Sequence, residues 1–87
     1  MNFNQATAKA LHAARVVSGI TYNELAKKTG MNVQAIYRVF GAKGEIKVTQ
    51  LALLGKAMGL TPSQILDDAQ RILERCKVEN WPKDRAS

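Results

Sequence analysis

The stretch Thr21-Tyr22-Asn23-Glu24-Leu25-Ala26-Lys27-Lys28-Thr29-Gly30-Met31-Asn32-Val33-Gln34-Ala35-Ile36-Tyr37-Arg38-Val39-Phe40-Gly41 decides the fold of this 87-residue chain. Thr21 with Glu24 three residues later is a capping box: each side chain satisfies the other's backbone amide, and a helix starts there. Gly30 stops that helix, because glycine takes positive φ without a steric penalty. Asn32 is the next cap and opens a helix over Val33–Phe40 that Gly41 ends. Two short helices separated by so tight a turn must cross steeply and touch closely. The crossing needs a small residue inside the first helix, and Ala26 is there. The turn needs a residue that can turn left-handed, which is Gly30. Both helices need apolar anchors, supplied by Leu25, Met31, Ile36 and Val39.

Outward from this unit the pattern stays helical, and no alternating strand is visible. Asn4 is a cap for a first helix through about Val17, closed by Gly19, with Ala8, Leu11 and Ala14 or Arg15 on one face. Gly41 to Lys47 reads as a loop. A fourth helix from about Val48 to Met58 carries Leu51, Leu54 and Met58 on one side and ends at Gly59. Thr61 caps a fifth helix, with Pro62 at the favoured first position. Ile65, Ala69, Ile72 and Cys76 form one stripe on it, with Leu66 and Leu73 alongside. The expected architecture is an all-α, compact five-helix bundle over residues 1–78, followed by a polar tail, 79–87, whose one large apolar residue is Trp81.

Charge is unevenly spread. Of the 13 basic and 7 acidic residues, residues 1–56 hold eight Lys/Arg against Glu24 and Glu45, whereas residues 57–87 hold five of each sign. The whole formal excess of +6 therefore lies in the first two-thirds, and a polyanion is the natural partner for such a segment. Charge alone does not separate that reading from a soluble domain that happens to be basic. Cys76 has no second cysteine to pair with, and a single cysteine beside a single histidine, His12, makes no zinc site. A reducing cytoplasmic setting fits this usage. The first residues lack the charged and apolar regions of a signal peptide, and the longest apolar run, Leu51–Leu54, is far too short to cross a bilayer.

Tyr22 to Gly41, and Leu25-Ala26-Lys27-Lys28-Thr29-Gly30-Met31 above all, resembles the helix-turn-helix of the lambda repressor and Cro family. The similarity extends outward through Leu11, Arg15 and Ile20 on one side and Lys56-Ala57-Met58-Gly59-Leu60-Thr61 on the other. The resemblance implies that the helix after the turn lies in the major groove of a DNA duplex. Two positions depart from the pattern. Phe40 stands where many members have a Glu that pairs with the arginine of helix one, here Arg15. That leaves Arg15 to stack on Phe40 or to meet a phosphate. Ile46 stands where a proline is common, and the Gly41–Lys47 loop is expected to be less rigid for it.

If Ile36 and Val39 face inward, then Val33, Gln34, Tyr37 and Arg38 face outward, with Asn32 at the start of the helix. Gln pairs in bidentate fashion with adenine and Arg with guanine, and Val or Tyr can meet a thymine methyl. Gln34 is the first choice for base reading, while Arg38 can serve a guanine or a phosphate. Thr21, Tyr22 and the amides of their helix are phosphate candidates, as are Lys43 and Lys47. Each has a plainer reading: Asn32 and Gln34 as ordinary caps, Tyr37 as a half-buried core ring, and Lys27 and Lys28 as solvated surface. Leu66, Ala69, Leu73 and Cys76 follow the spacing of a helix that pairs with a second copy, with Trp81 as a plug or a tail residue. A two-fold dimer matches a palindromic operator.

Nothing here suggests catalysis or a cofactor, metal or small-molecule site; Asp67 and Asp68 are adjacent on a helix and diverge. The expectation is a sequence-specific, double-stranded DNA-binding transcriptional regulator of the phage or prophage repressor or Cro-like kind. Its rivals are an antitoxin-type autoregulator built on the same domain, and a protein-interaction module that keeps the fold without binding DNA.

Overall fold

Capping chemistry sets almost every helix boundary in the computed structural model, which describes residues 1–79. The described residues form α1 (Phe3–Ser18), α2 (Tyr22–Thr29), α3 (Val33–Phe40), α4 (Val48–Met58) and α5 (Pro62–Glu79). At α2 the expected box is present: Thr21 Oγ1 accepts from the Glu24 amide at 3.2 Å, and the Thr21 amide donates to Glu24 Oε1 at 3.1 Å. Thr61 and Gln64 make the same reciprocal pair before α5. Gly30 sits at φ +73°, in the left-handed region that the tight turn requires.

The start of α1 differs from expectation. Asn2, not Asn4, is the cap: its Oδ1 accepts from the Gln5 amide at 2.8 Å, and Gln5 Oε1 receives the Asn2 amide at 2.9 Å. Asn4 lies inside the first turn and turns its carboxamide to the loop before α4. There its Nδ2 donates to the Gly44 carbonyl at 2.7 Å and its Oδ1 accepts from the Ile46 amide at 2.8 Å. The expectation of a slack loop is overturned by the same contacts. Where a proline would have no amide, Ile46 has one, and a side chain 42 residues away satisfies it.

The core joins all five helices. Leu11, Leu25, Ile36, Leu54 and Ile65, one from each, are the largest fully buried side chains. Met31, Phe40, Ile46 and Met58 pack around them half-buried. Helices α1 and α5 share the most extensive contact, and Ala6, Ala10 and Ala69 join the buried cluster with no measurable bulk to separate the backbones. Ala69 is 0% exposed, so its side chain is used up inside the domain and offers nothing to a second copy, contrary to expectation. Leu66, Leu73 and Cys76 are half-buried. Trp81 and the rest of the expected tail beyond Glu79 lie outside the described residues.

Candidate nucleic-acid interface

Helix α3 is pinned by one face and open on the other. Ile36 and Val39 are buried, Val33 is half-buried, and Gln34, Tyr37 and Arg38 are exposed. Asn32 Oδ1 accepts from the Gln34 amide at 2.8 Å, which satisfies one of the orphan amides at the helix start. That bond occupies the Asn32 oxygen. The Gln34 carboxamide makes no hydrogen bond within the described residues, so both its oxygen and its NH2 group stay open to solvent.

Arg38 is less free. Its Nη2 donates to the Lys43 carbonyl at 3.1 Å, and the Lys43 amide donates back to the Arg38 carbonyl at 2.9 Å. The guanidinium therefore leans away from the N-terminal end of α3 and towards the loop. A cleft lined by Ala35, Arg38, Gly44, Glu45, Lys47 and Gln50 lies between α3 and the start of α4.

Three rings brace α2 against α3. The Tyr22 ring meets Tyr37 edge-on at 5.0 Å between centroids and Phe40 at 5.3 Å. Arg15 lies over the Tyr22 ring, with its guanidinium carbon 4.4 Å from the centroid, and its Nη1 donates to the Ile20 carbonyl at 3.1 Å. Arg15 thus stacks on Tyr22 rather than on Phe40. Its buried Nε has no hydrogen-bond acceptor among the described residues, and the negative face of the ring offsets part of the guanidinium charge. Tyr22 is the hub of this cluster, and its half-buried ring limits it as a phosphate ligand to whatever its hydroxyl and backbone amide can reach. Tyr37 is 53% exposed, so the core reading of that ring does not hold.

The cations of residues 1–56, apart from Lys9 within α1, fall into two groups. Arg15, Lys27 with Lys28, Arg38 and Lys56 each stand in the last turn of a helix, where a cation complements the negative end of the helix dipole. Lys43 and Lys47 have no such explanation. Lys47 is the N-cap residue of α4, where a lysine has no acceptor to offer and its charge opposes the positive end of the dipole. Only the reverse half of a capping box forms, from the Lys47 amide to Gln50 Oε1 at 3.0 Å. Both lysines are exposed.

Glu24 already supplies a negative charge at the start of α2. Its carboxyl is held below the usual carboxylate range, first by the Thr21 backbone amide and next by the Thr21 side chain, with Lys28 and Lys27 adding smaller attractions. A group whose pKa is lowered on folding contributes stability above its unfolded pKa and loses it as pH falls through the folded one. The acid limb of the stability curve should therefore flatten slightly in Glu24→Gln, which keeps the acceptor and removes the titration. Thermal melts of both proteins between about pH 3 and 6 read the difference.

A core-locked helix with an open polar edge, preceded by a tight left-handed turn and flanked by unexplained lysines, defines a DNA-binding domain of the helix-turn-helix kind. The chain belongs to the helix-turn-helix family, whose model matches residues 11–65. Membership implies that this domain binds DNA. It is 32% identical over 74 residues to the nucleoid occlusion factor SlmA of Vibrio campbellii, a match that covers 85% of this chain and 38% of that protein. The chain thus spans well under half the length of that relative. Its fold is similar to the crystal structure of the clp gene regulator ClgR from Corynebacterium glutamicum, with a TM-score of 0.82. That likeness covers 95% of this chain and 89% of the other at 20% identity, and it is a likeness of fold. Among the described residues no helix is long and apolar enough to cross a membrane.

Sequence reasoning missed two residues in this region, Gln50 and Asn4, which hold the loop; Tyr22 was a phosphate candidate, but not the aromatic hub it forms. Only the Asn2-to-Gln5 capping spacing was available as a signal that Asn4 was free for other work.

Proposed function

We propose that the domain reads a specific duplex site through α3 and acts as a transcriptional regulator of the repressor or Cro-like type, working in the cytoplasm as a homodimer on a palindromic operator. The observation that carries this reading is the open carboxamide of Gln34, one residue inside a helix whose opposite face is locked into the core. A carboxamide with both ends free matches the donor and acceptor of adenine in the major groove. Asn32, with its oxygen committed to the cap, is the weaker reader. Tyr37 offers its ring edge to a thymine methyl, and half-buried Val33 adds apolar contact at the same end.

Of the two phosphate loci, the loop is the stronger. Lys43, Lys47 and the amides at the start of α4 gather positive charge, and Glu45 of the same loop is exposed and makes no ion pair with them among the described residues, whereas Glu24 is already hydrogen-bonded at the positive end of α2. Thr21 and the first amides of α2 then take a subsidiary backbone contact. Arg38, tied to the Lys43 carbonyl, belongs with the phosphate group more than with base reading. The half-buried Leu66, Leu73 and Cys76 on α5 support a two-fold contact, and the phage or prophage setting rests on the resemblance of Tyr22–Gly41. Residues 1–78 make up the binding unit.

Selection of bound fragments from a random duplex library tests this directly, followed by titration of the winning duplex at several salt concentrations. The expected result is a symmetric consensus with half-sites one helical turn apart, and an affinity that falls linearly on a log–log salt plot. A library that yields no enrichment, or a salt-independent affinity, would overturn the reading.

A further inference from the structure

We infer that Asn4, outside the helix-turn-helix, is a positioning residue of the DNA interface: it holds the Gly41–Lys47 loop so that Lys43 and Lys47 are set for a phosphate before DNA arrives. The inference rests on the phosphate role of that loop. Three elements grip the loop at different points. Asn4 of α1 takes the Gly44 carbonyl at 2.7 Å and the Ile46 amide at 2.8 Å, so one carboxamide spans two peptide groups as a neighbouring strand would. Arg38 of α3 takes the Lys43 carbonyl at 3.1 Å. Gln50 of α4 takes the Lys47 amide at 3.0 Å. The grip from Arg38 and Gln50 comes from residues next to the loop in sequence. Among the described residues Asn4 alone hydrogen-bonds it to an element remote in sequence, 40 and 42 residues away.

The segment has reason to need a tie. Ala42 takes φ +52°, a left-handed conformation that a non-glycine residue adopts at a cost, and the Lys47 cation sits at the positive end of α4. Untied, the loop would relax towards other conformers, and binding would have to restore the order each time. A site already in its bound arrangement avoids that entropy loss.

Asn4→Ala is the direct test. Asn2 caps α1 and alanine is the best helix former, so the variant keeps its fold, which far-UV circular dichroism checks at the assay temperature. Amide hydrogen exchange at Ile46 should accelerate while the α5 core amides stay protected. Affinity for a labelled selected duplex and for a scrambled one should both weaken by about three- to tenfold, as loss of one or two ordering hydrogen bonds allows. In a Lys43→Ala/Lys47→Ala background the same change should cost much less, because the lysines it serves are gone. An Asn4→Ala protein that binds at full strength with a fast-exchanging Ile46 amide overturns the inference. So does an equal loss in both backgrounds, which would make Asn4 a contact in its own right. If the wild-type chain binds neither duplex while Ile46 stays protected, the DNA-binding reading itself has failed and this inference falls with it.

Discussion

Gly55→Ala is expected to destabilise the domain by about 1–3 kcal/mol, although alanine is the better helix former. In an exposed helix interior the exchange would gain up to about 1 kcal/mol. Here a Cβ on residue 55 would stand 2.7 Å from the Leu60 carbonyl oxygen and 3.0 Å from Ile65 Cδ1. The Leu60 amide also donates to the Gly55 carbonyl at 2.7 Å, so the chain after α4 folds directly back over this glycine. Ile65 is 1% exposed and has nowhere to retreat, and the carbonyl belongs to the turn that leads into α5. Overpacking against backbone therefore outweighs the gain in propensity. For a domain of this size each kcal/mol lowers the melting temperature by about 4–8 °C, well within reach of a thermal melt. A variant that melts at or above the wild type would mean that the α4–α5 turn yields more readily than its hydrogen bond suggests. Duplex affinity measured well below the transition should stay close to wild type, because Gly55 packs under Leu60 and Ile65, about two turns along α4 from its N-cap Lys47.

The second large effect falls on recognition. Gln34→Ala should cost about 1–3 kcal/mol on the selected duplex, or roughly 5- to 150-fold in affinity, and relax the preference at one base pair. Binding to a scrambled duplex and the salt slope should be nearly unchanged, since no charge is lost. The fold should tolerate the change, because the Asn32 cap accepts from the Gln34 backbone amide, which alanine retains. Competition titrations against duplexes varied one base pair at a time read all three quantities. Uniform weakening across sequences would assign Gln34 to the backbone and leave base reading to other side chains.

These two positions differ in how far they could be read from the chain alone. Gln34 follows from periodicity: with Ile36 and Val39 inward, a polar residue two before Ile36 must face out. Gly55 is visible as a glycine within a helix, but nothing local says what lies above it. The starts of α2 and α3 were equally legible, since Thr21 with Glu24 and Asn32 act within one turn of themselves. At α1 the same local rule was available but went to the wrong asparagine; Asn2 with Gln5 meets the box, and Asn4 has no such partner three residues on.

The succession of helices, the turn at Gly30, the buried face of α3 and the segregation of charge are therefore legible along the chain. All of these depend on neighbours a few residues apart, whose distances helix geometry dictates. Tertiary structure alone decided that Arg15 lies on Tyr22, that Ala69 is consumed by the core, that Asn4 holds the loop, and that Gly55 must be bare. In each case the partner comes from a separate helix or loop, and which groups meet there depends on how whole elements dock. A side chain's periodicity shows that a face is apolar or polar; only the packed bundle shows what covers it.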